Sequence, residues 1–319
     1  MTNLTLKDKK LIYWLDQNSR ATNKELAKRV SLSEQAIGYK LKTLEEKDII
    51  KKYVTFINTL ALGYNHYKIL LRLQNTNLAK ERDIINSLVK HNNIRWVASC
   101  SGRWDINLSI LAKTPQQLTD IYREIESKFG NHIAEKQISL LVRSPGFTRG
   151  HLIEQKSKKT FVYNPTNYKM KEIDKRILKS ISQDARKNVV DIARDLKTTV
   201  DKARYSMKKL VEENIISGYT IQLDLNKLGL SRYSVFFSLH KMTPQREEEM
   251  MEFAKSHKNI IFMPTVIGSY DMSLEIETQS YEELEETIKK FRELFADNVK
   301  GFEVILNTKE HKYDFFPFE

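Results

Sequence analysis

Leu11, Leu15, Leu26, Val30, Ile37, Leu41 and Leu44 recur at spacings of three, four or seven within their segments. That is the mark of helices with one apolar face. Past about residue 60 the period changes. Ile69, Leu71 and Leu73 lie on one side of a strand. Ile106, Leu108 and Ile110 do the same in a second run, with Asp105, Asn107 and Ser109 on the opposite side. Helical runs at 78–91 and 115–129 separate the strands. The order predicts β-α-β-β-α-β, a ferredoxin-like sheet with helices on one face, preceded by a purely helical segment.

The pattern is written twice. "GRWDINLSI" at 102–110 returns as "GSYDMSLEI" at 268–276, an offset of 166 residues. At the same offset "DKKLIYWLDQNSR" (8–20) meets "DKRILKSISQDAR" (174–186), and "LEEKDIIKKY" (44–53) meets "LVEENIISGY" (210–219). One constant offset over more than half the chain marks a tandem duplication. The expected class is α+β, with two copies of a helix-turn-helix domain followed by a ferredoxin-like domain. The expected units are 1–60 and 61–142, then 169–226 and 227–319. Between the copies, 143–168 holds Pro145, Gly146, Gly150 and Pro165 with no period, and reads as a linker.

Within each helical unit, Thr22 and Glu25 have the spacing of a capping box, and Asn188 and Asp191 repeat it. A turn follows each short helix. Ser33 and Thr199 then stand where they would cap a second helix, roughly 34–47 and 200–213. Helix, tight turn, helix is the arrangement whose second helix enters the major groove of DNA. With Ile37, Leu41 and Leu44 facing inward, Gln35, Tyr39 and Lys42 face outward, and Gly38 and Lys40 flank them. In the second copy Asp201, Arg204, Tyr205 and Lys208 look out. Gln and Arg read adenine and guanine edges, and Lys and Tyr hold phosphates. The expected DNA-contacting set is therefore Ser33, Gln35, Tyr39, Lys40, Lys42, Thr199, Asp201, Arg204, Tyr205 and Lys208. The alternative is a solvated face of an ordinary helical bundle.

Charge supports a polyanionic partner. The 319 residues carry a net +12. Residues 1–60 hold 12 basic and 7 acidic side chains, and residues 169–226 hold 13 and 9. Residues 61–142 hold 11 and 7, whereas 227–319 hold 12 and 17. Basic charge thus avoids the second sheet domain, and the two sheet domains have opposite signs, which favours pairing of unlike copies. No apolar run approaches the ~18 residues of a membrane span, and the N-terminus lacks a secretory signal's apolar core. Cys100 is the only cysteine, which excludes a disulfide framework. Cytoplasmic location is expected, with no membrane association.

"LAKRVSLSEQAIGYKLKTLEEKDII" (26–50), "LGY" (62–64) and "CSGRWDINLSI" (100–110) together resemble the leucine-responsive regulator/AsnC (Lrp/AsnC) family of transcription regulators. The resemblance covers nearly the whole chain, twice. It implies a helix-turn-helix domain, a hinge strand and a ligand-binding ferredoxin-like domain that pairs through its sheet. It also implies a small-molecule effector, such as an amino acid, near the loops holding Gly102, Trp104 and Asp105, and Gly268, Tyr270 and Asp271. Ser33 and Lys40 match the family's cap and basic DNA-facing position, but the second copy has Ser206 opposite Lys40. The usual glycine after the recognition helix is Asp48 or Asn214. The expected partners are double-stranded DNA, such an effector, and either further copies of the chain or its own second half as a pseudo-dimer. Siroheme decarboxylases resemble the same module and give an enzyme alternative, built on His and Arg around a tetrapyrrole. The seven histidines form no cluster in sequence, and only His91 and His257 coincide at the offset. A protein-interaction scaffold without DNA binding is the other alternative. No catalytic set, cofactor or metal is expected.

Overall fold

In the computed structural model the described residues are 4–156, 160–161 and 166–316. The first copy runs α1 (Leu6–Gln17), α2 (Asn23–Val30), α3 (Glu34–Glu46), β1 (Ile50–Ile57), β2 (Asn65–Leu73), α4 (Leu78–Lys90), β3 (Ile94–Ser101), β4 (Ile106–Ala112), α5 (Pro115–Phe129) and β5 (Ile133–Arg143). Two short strands follow, β6 (Gly146–Phe147) and β7 (Thr160–Phe161). The second copy runs α6 (Glu172–Gln183), α7 (Val189–Asp195), α8 (Val200–Glu212), β8 (Ile216–Leu223), β9 (Ser231–Leu239), α9 (Pro244–Ser256), β10 (Ile260–Phe262), β11 (Thr265–Ile267), β12 (Met272–Thr278), α10 (Tyr281–Leu294) and β13 (Val299–Tyr313). No helix among the described residues is long and apolar enough to cross a membrane.

The copies pair inside one chain. Hinge strands β1 and β8 run antiparallel, with Thr55 opposite Tyr219 and Tyr53 opposite Ile221. Each helical core borrows from the other copy. Leu11, Leu26, Ile37 and Leu41 pack with Ile221 and Leu223 of β8. Ile177, Ile181, Ala203 and Leu210 pack with Val54 and Phe56 of β1. Bonds across the joint come in mates at the 166-residue offset. Ser19 N donates to Tyr219 O and Ala185 N to Tyr53 O; Asn58 N donates to Ile215 O and Asp224 N to Ile49 O. The Arg20 guanidinium caps the carbonyls of Ala185 and Lys187, and Arg186 caps those of Ser19 and Ala21. This is a pseudo-two-fold axis.

The sheets close on each other. The first copy orders its strands β3-β4-β2-β5. The second orders β10/β11, β12, β9, β13. Strand β13 pairs with β3 and β11 with β5, so eight strand positions form a ring. Ile69, Leu71, Ile106, Leu108 and Ile110 face α4 and α5 on the outside, as their alternation predicts. The opposite face is also covered: every residue of β4 and β12 is buried. The second copy's counterpart of β3 is split, because Pro264 stands where the first copy has Ala98 and has no amide to donate. Strand β6 adds to β10 there, through Gly146 opposite Phe262. The stretch read as a linker is thus partly built into the sheet, with Phe147 and Leu152 buried.

Inside the ring the symmetry ends. Asn107 donates to Asn307 Oδ1 (3.2 Å), and Asn307 donates to Ser234 Oγ (2.9 Å). Ser234 donates to Glu275 Oε2 (2.5 Å), and Lys68 donates to Glu275 Oε1 (2.7 Å). Lys68 and Glu275 are both buried. Their counterparts at the offset are Ser234 and Ser109. A second buried network holds Arg149 against Asp16 of α1 and against Glu277 of β12 (2.9 Å). Arg232 bridges Glu277 (2.7 Å) to Glu310 (3.0 Å).

Candidate nucleic-acid interface

Thr22 accepts from Glu25 N (3.2 Å), while the Glu25 carboxylate accepts from Thr22 N (2.7 Å), so α2 opens on a complete capping box. In the second copy Asn188 caps α7 through Val190 N (3.0 Å), and Asp191 pairs with Arg194 (2.7 Å) instead. Ser33 accepts from Ala36 N and Thr199 from Lys202 N, each at 3.2 Å, and these caps start α3 and α8. The helices end in left-handed residues, Asp48 (φ 49°) and Asn214 (φ 53°). Asp and Asn adopt this conformation more readily than most residues other than glycine.

Both recognition helices bury one face and expose another. Tyr39 and Tyr205, equivalent at the offset, are 73% and 62% exposed. Gln35, Lys42, Asp201, Arg204 and Lys208 are exposed as well. Lys42 and Lys208 pair with Glu46 (3.7 Å) and Glu212 (3.5 Å) of their own helices, and Arg204 pairs with Asp201 (2.9 Å). Exposed pairs of this kind are worth little, so the cations remain available to phosphate. Lys40 differs. It reaches back to Asp8 (2.6 Å) at the start of α1 and is partly buried. Burial opposes ionisation of Asp8, but Lys40 and Thr5 outweigh it and hold the carboxyl below its usual range. Lys40 therefore ties α3 to α1. Ser206, its counterpart, is buried.

The glycine–aspartate loops lie at the sheet ring. Asp105 Oδ2 accepts from Leu73 N and Asp271 Oδ2 from Leu239 N, each at 2.6 Å. Each carboxylate thus fastens the end of a neighbouring strand. Gly102 adopts φ 130°, which side chains disfavour. Gly268 is required by contact instead, since a Cβ would sit 2.5 Å from Ser139 Oγ. Trp104 and Tyr270 are buried between the sheets with Phe236, Leu141 and Ile305. Their edges line one polar cleft with Arg103, Glu135 and Glu303, which are paired among themselves. Burial pushes the Cys100 thiol up to about 12. His91 and His257 both stand at helix C-termini, and among the described residues no three metal-ligating side chains cluster. The sequence reading missed Lys68, Glu275, Arg149 and Glu277, because each is a polar residue whose partner lies far along the chain.

A family profile described as winged helix-turn-helix DNA-binding matches residues 4–51 and 170–217, the two three-helix units. The HTH-type transcriptional regulator FL11 of Pyrococcus furiosus is 31% identical over 129 residues, 39% of this chain and 83% of that protein. The HTH-type transcriptional regulator LrpA of Pyrococcus horikoshii is 31% identical over 126 residues, 39% of this chain and 84% of that protein. The chain belongs to the Lrp/AsnC family of transcription regulators. It is a tandem member, since such relatives span about one of its two copies. Over nearly its whole length this Lrp/AsnC chain shares its fold with the siroheme decarboxylase NirDL: TM-score 0.61, 14% identity, 96% of this chain and 92% of that one. At that identity the likeness concerns fold alone.

Proposed function

We propose that this Lrp/AsnC chain is a sequence-specific regulator of double-stranded DNA that reads two unequal half-sites, and that a small molecule modulates it. The observation that carries the reading is the pair of helix-turn-helix units joined through β1 and β8. Each presents an exposed tyrosine and an exposed lysine at equivalent positions of its recognition helix. A pseudo-two-fold pair suits two half-sites about one helical turn, or a multiple, apart. The half-sites differ because α3 exposes Gln35 with half-buried Gly38 at its flank, where α8 exposes Asp201 and Arg204. Asp201 disfavours phosphate and suits cytosine, while Arg204 suits guanine.

Titration of duplex DNA over a range of salt tests the reading. Affinity should fall with a log–log slope of about −0.9 per phosphate neutralised. Lys42→Ala and Lys208→Ala should each weaken binding across all sequences and reduce the slope by about one. Replacing residues 33–43 with 199–209 should turn an asymmetric selected site into a more symmetric one. Salt-independent binding, or none, would favour the scaffold alternative. A tetrapyrrole absorbance band that develops on adding sirohaem would favour the enzyme.

A further inference from the structure

A cleft lies where the sheet ring meets the second helical unit. His66 of β2 forms part of its wall and is 92% buried, as its 8% exposure shows. Its Nε2 has no hydrogen-bond partner. Arg95, at the start of β3, also lines the cleft, and its buried Nη1 is likewise unpartnered. No carboxylate among the described residues lies within ion-pair distance of Arg95. Burial first, then the charges of Arg95 and Lys68, hold the His66 imidazole well below its ordinary range. The other cations of the cleft are already engaged, Lys68 by Glu275 and Arg232 by Glu277 and Glu310. Around the two unpartnered nitrogens the wall is aromatic: Trp96, Phe262, Tyr313 and Phe315. The Arg95 guanidinium lies 4.1 Å from the Phe315 ring centroid.

Buried polar atoms are almost always paired, so two orphaned nitrogens in one cleft call for a missing partner. A cationic guest would be repelled by Arg95, and a neutral one would leave its buried charge without a counter-ion. A carboxylate accepts from both nitrogens through charge-assisted bonds. Flat aromatic walls then suit an apolar body on the same molecule. We propose that this cleft binds a small aromatic carboxylate, its anionic group on Arg95 and His66 and its ring against Trp96, Phe262 and Phe315.

Occupancy has a route to the DNA-binding half. Phe315 packs in the core of α6–α8 and meets Phe56 of hinge strand β1 edge to face, with ring centroids 4.5 Å apart. Phe262 meets the same ring at 6.2 Å. A ligand seated on Phe315 and Phe262 bears on the contacts that position one helical unit against β1, and shifts DNA affinity if it favours one placement. This second step rests on the DNA-binding reading; the ligand site does not.

The test uses the full chain with benzoate and indole-3-acetate as probes, their amides as uncharged isosteres, and inorganic phosphate as an anion without a ring. Calorimetry should show both carboxylates binding and the amides at least tenfold weaker. Phosphate should bind more weakly than either carboxylate. Arg95→Gln and His66→Gln should each weaken the carboxylates at least tenfold; if His66→Gln does not fold, Arg95→Gln, at a partly exposed position, decides. The site assignment is overturned if neither carboxylate binds the wild-type chain at millimolar concentration. It is also overturned if amides or phosphate bind as well, if both variants bind unchanged, or if only a tetrapyrrole binds. Saturating indole-3-acetate should change DNA affinity severalfold in the wild type and not in Arg95→Gln. An unchanged affinity overturns the coupling. Loss of DNA binding without any ligand present overturns the functional reading instead, and leaves the calorimetric result standing.

Discussion

The helical half and the sheet interior obey the pseudo-two-fold axis to different degrees. Around β1 and β8 a bond in one direction has its mate in the other, down to Arg20 on the carbonyls of residues 185 and 187 and Arg186 on those of 19 and 21. Inside the ring, Lys68 and Glu275 have serines as counterparts, and His66 faces its copy as Arg232. In a dimer of identical chains, each contact occurs twice. A Lys68 in both protomers would put two ammonium groups near the axis. Fusion removes that constraint. A tandem chain can place one buried ion pair and one cationic cleft off-axis while keeping two similarly folded helix-turn-helix units outside.

The largest effect should come from breaking the interior. Glu275→Ala leaves Lys68 buried and unpaired, and removing one partner of a buried pair costs about 3–5 kcal/mol. The double variant Lys68→Met, Glu275→Gln removes both charges and keeps a side-chain amide within reach of Ser234. It should cost much less, because a buried pair exchanged for well-packed neutral groups is often near neutral. Urea unfolding measures both. A single variant within about 1 kcal/mol of the wild type would show that water reaches Lys68 and that the interior is not sealed.

Much of this contrast was legible in the sequence on one side and hidden on the other. The helices of 6–46 and 172–212 announce themselves by period, cap and offset, because an exposed helix shows its environment in its own residues. The strands also showed which face meets α4 and α5. The opposite face did not declare its partner. Asn107 is polar by pattern and buried by structure, because what covers it is Asn307, 200 residues later. Arg149 sits in a stretch whose glycines and prolines read as a linker, yet its guanidinium joins Asp16 to Glu277. Asp105 and Asp271 stand out as paired motif residues, but their commitment to the amides of Leu73 and Leu239 depends on where β2 and β9 end. Periodicity reports one residue's surroundings, and these roles depend on pairs.

Acid should expose the asymmetry next. His66 is held below its usual range by burial first, then by Arg95 and Lys68. Its counterpart, Arg232, keeps its charge across this range. His257 is pulled down to about 4, by burial first and then by Lys290 and Lys258. A depressed folded-state histidine means that the unfolded chain binds more protons between the two values. Stability is then full above about pH 6.5 and declines as pH falls toward the folded value, by up to about 1.4 kcal/mol per pH unit for each histidine. Glu277 is held well below the carboxylate range by Arg149 and Arg232 against the opposing effect of burial, so its contribution is lost only below about pH 4.5. Melting temperature should therefore drop between pH 6.5 and 5, above the range in which Glu277 is lost. His66→Gln should make that upper segment shallower by the His66 share, keep the share of His257, and leave the descent below pH 4.5 in place. A His66→Gln profile parallel to the wild type from pH 7 to 5 would rule out His66 as the source.

The smallest effect is a control on the symmetric side. Ser33 and Thr199 cap the two recognition helices with the same 3.2 Å geometry. Loss of such a cap costs about 1 kcal/mol. The two helical cores each contain residues of the other copy, Ile221 and Leu223 in one and Val54 and Phe56 in the other. They should therefore unfold together, and both losses should register in one transition. Ser33→Ala and Thr199→Ala should lower stability equally, and the double variant should show the sum, because the caps share no partner. Unequal costs, differing by more than about 0.5 kcal/mol, would mean that the helical units share a geometry without sharing its energetics, and the contrast with the sheet interior would then be one of degree.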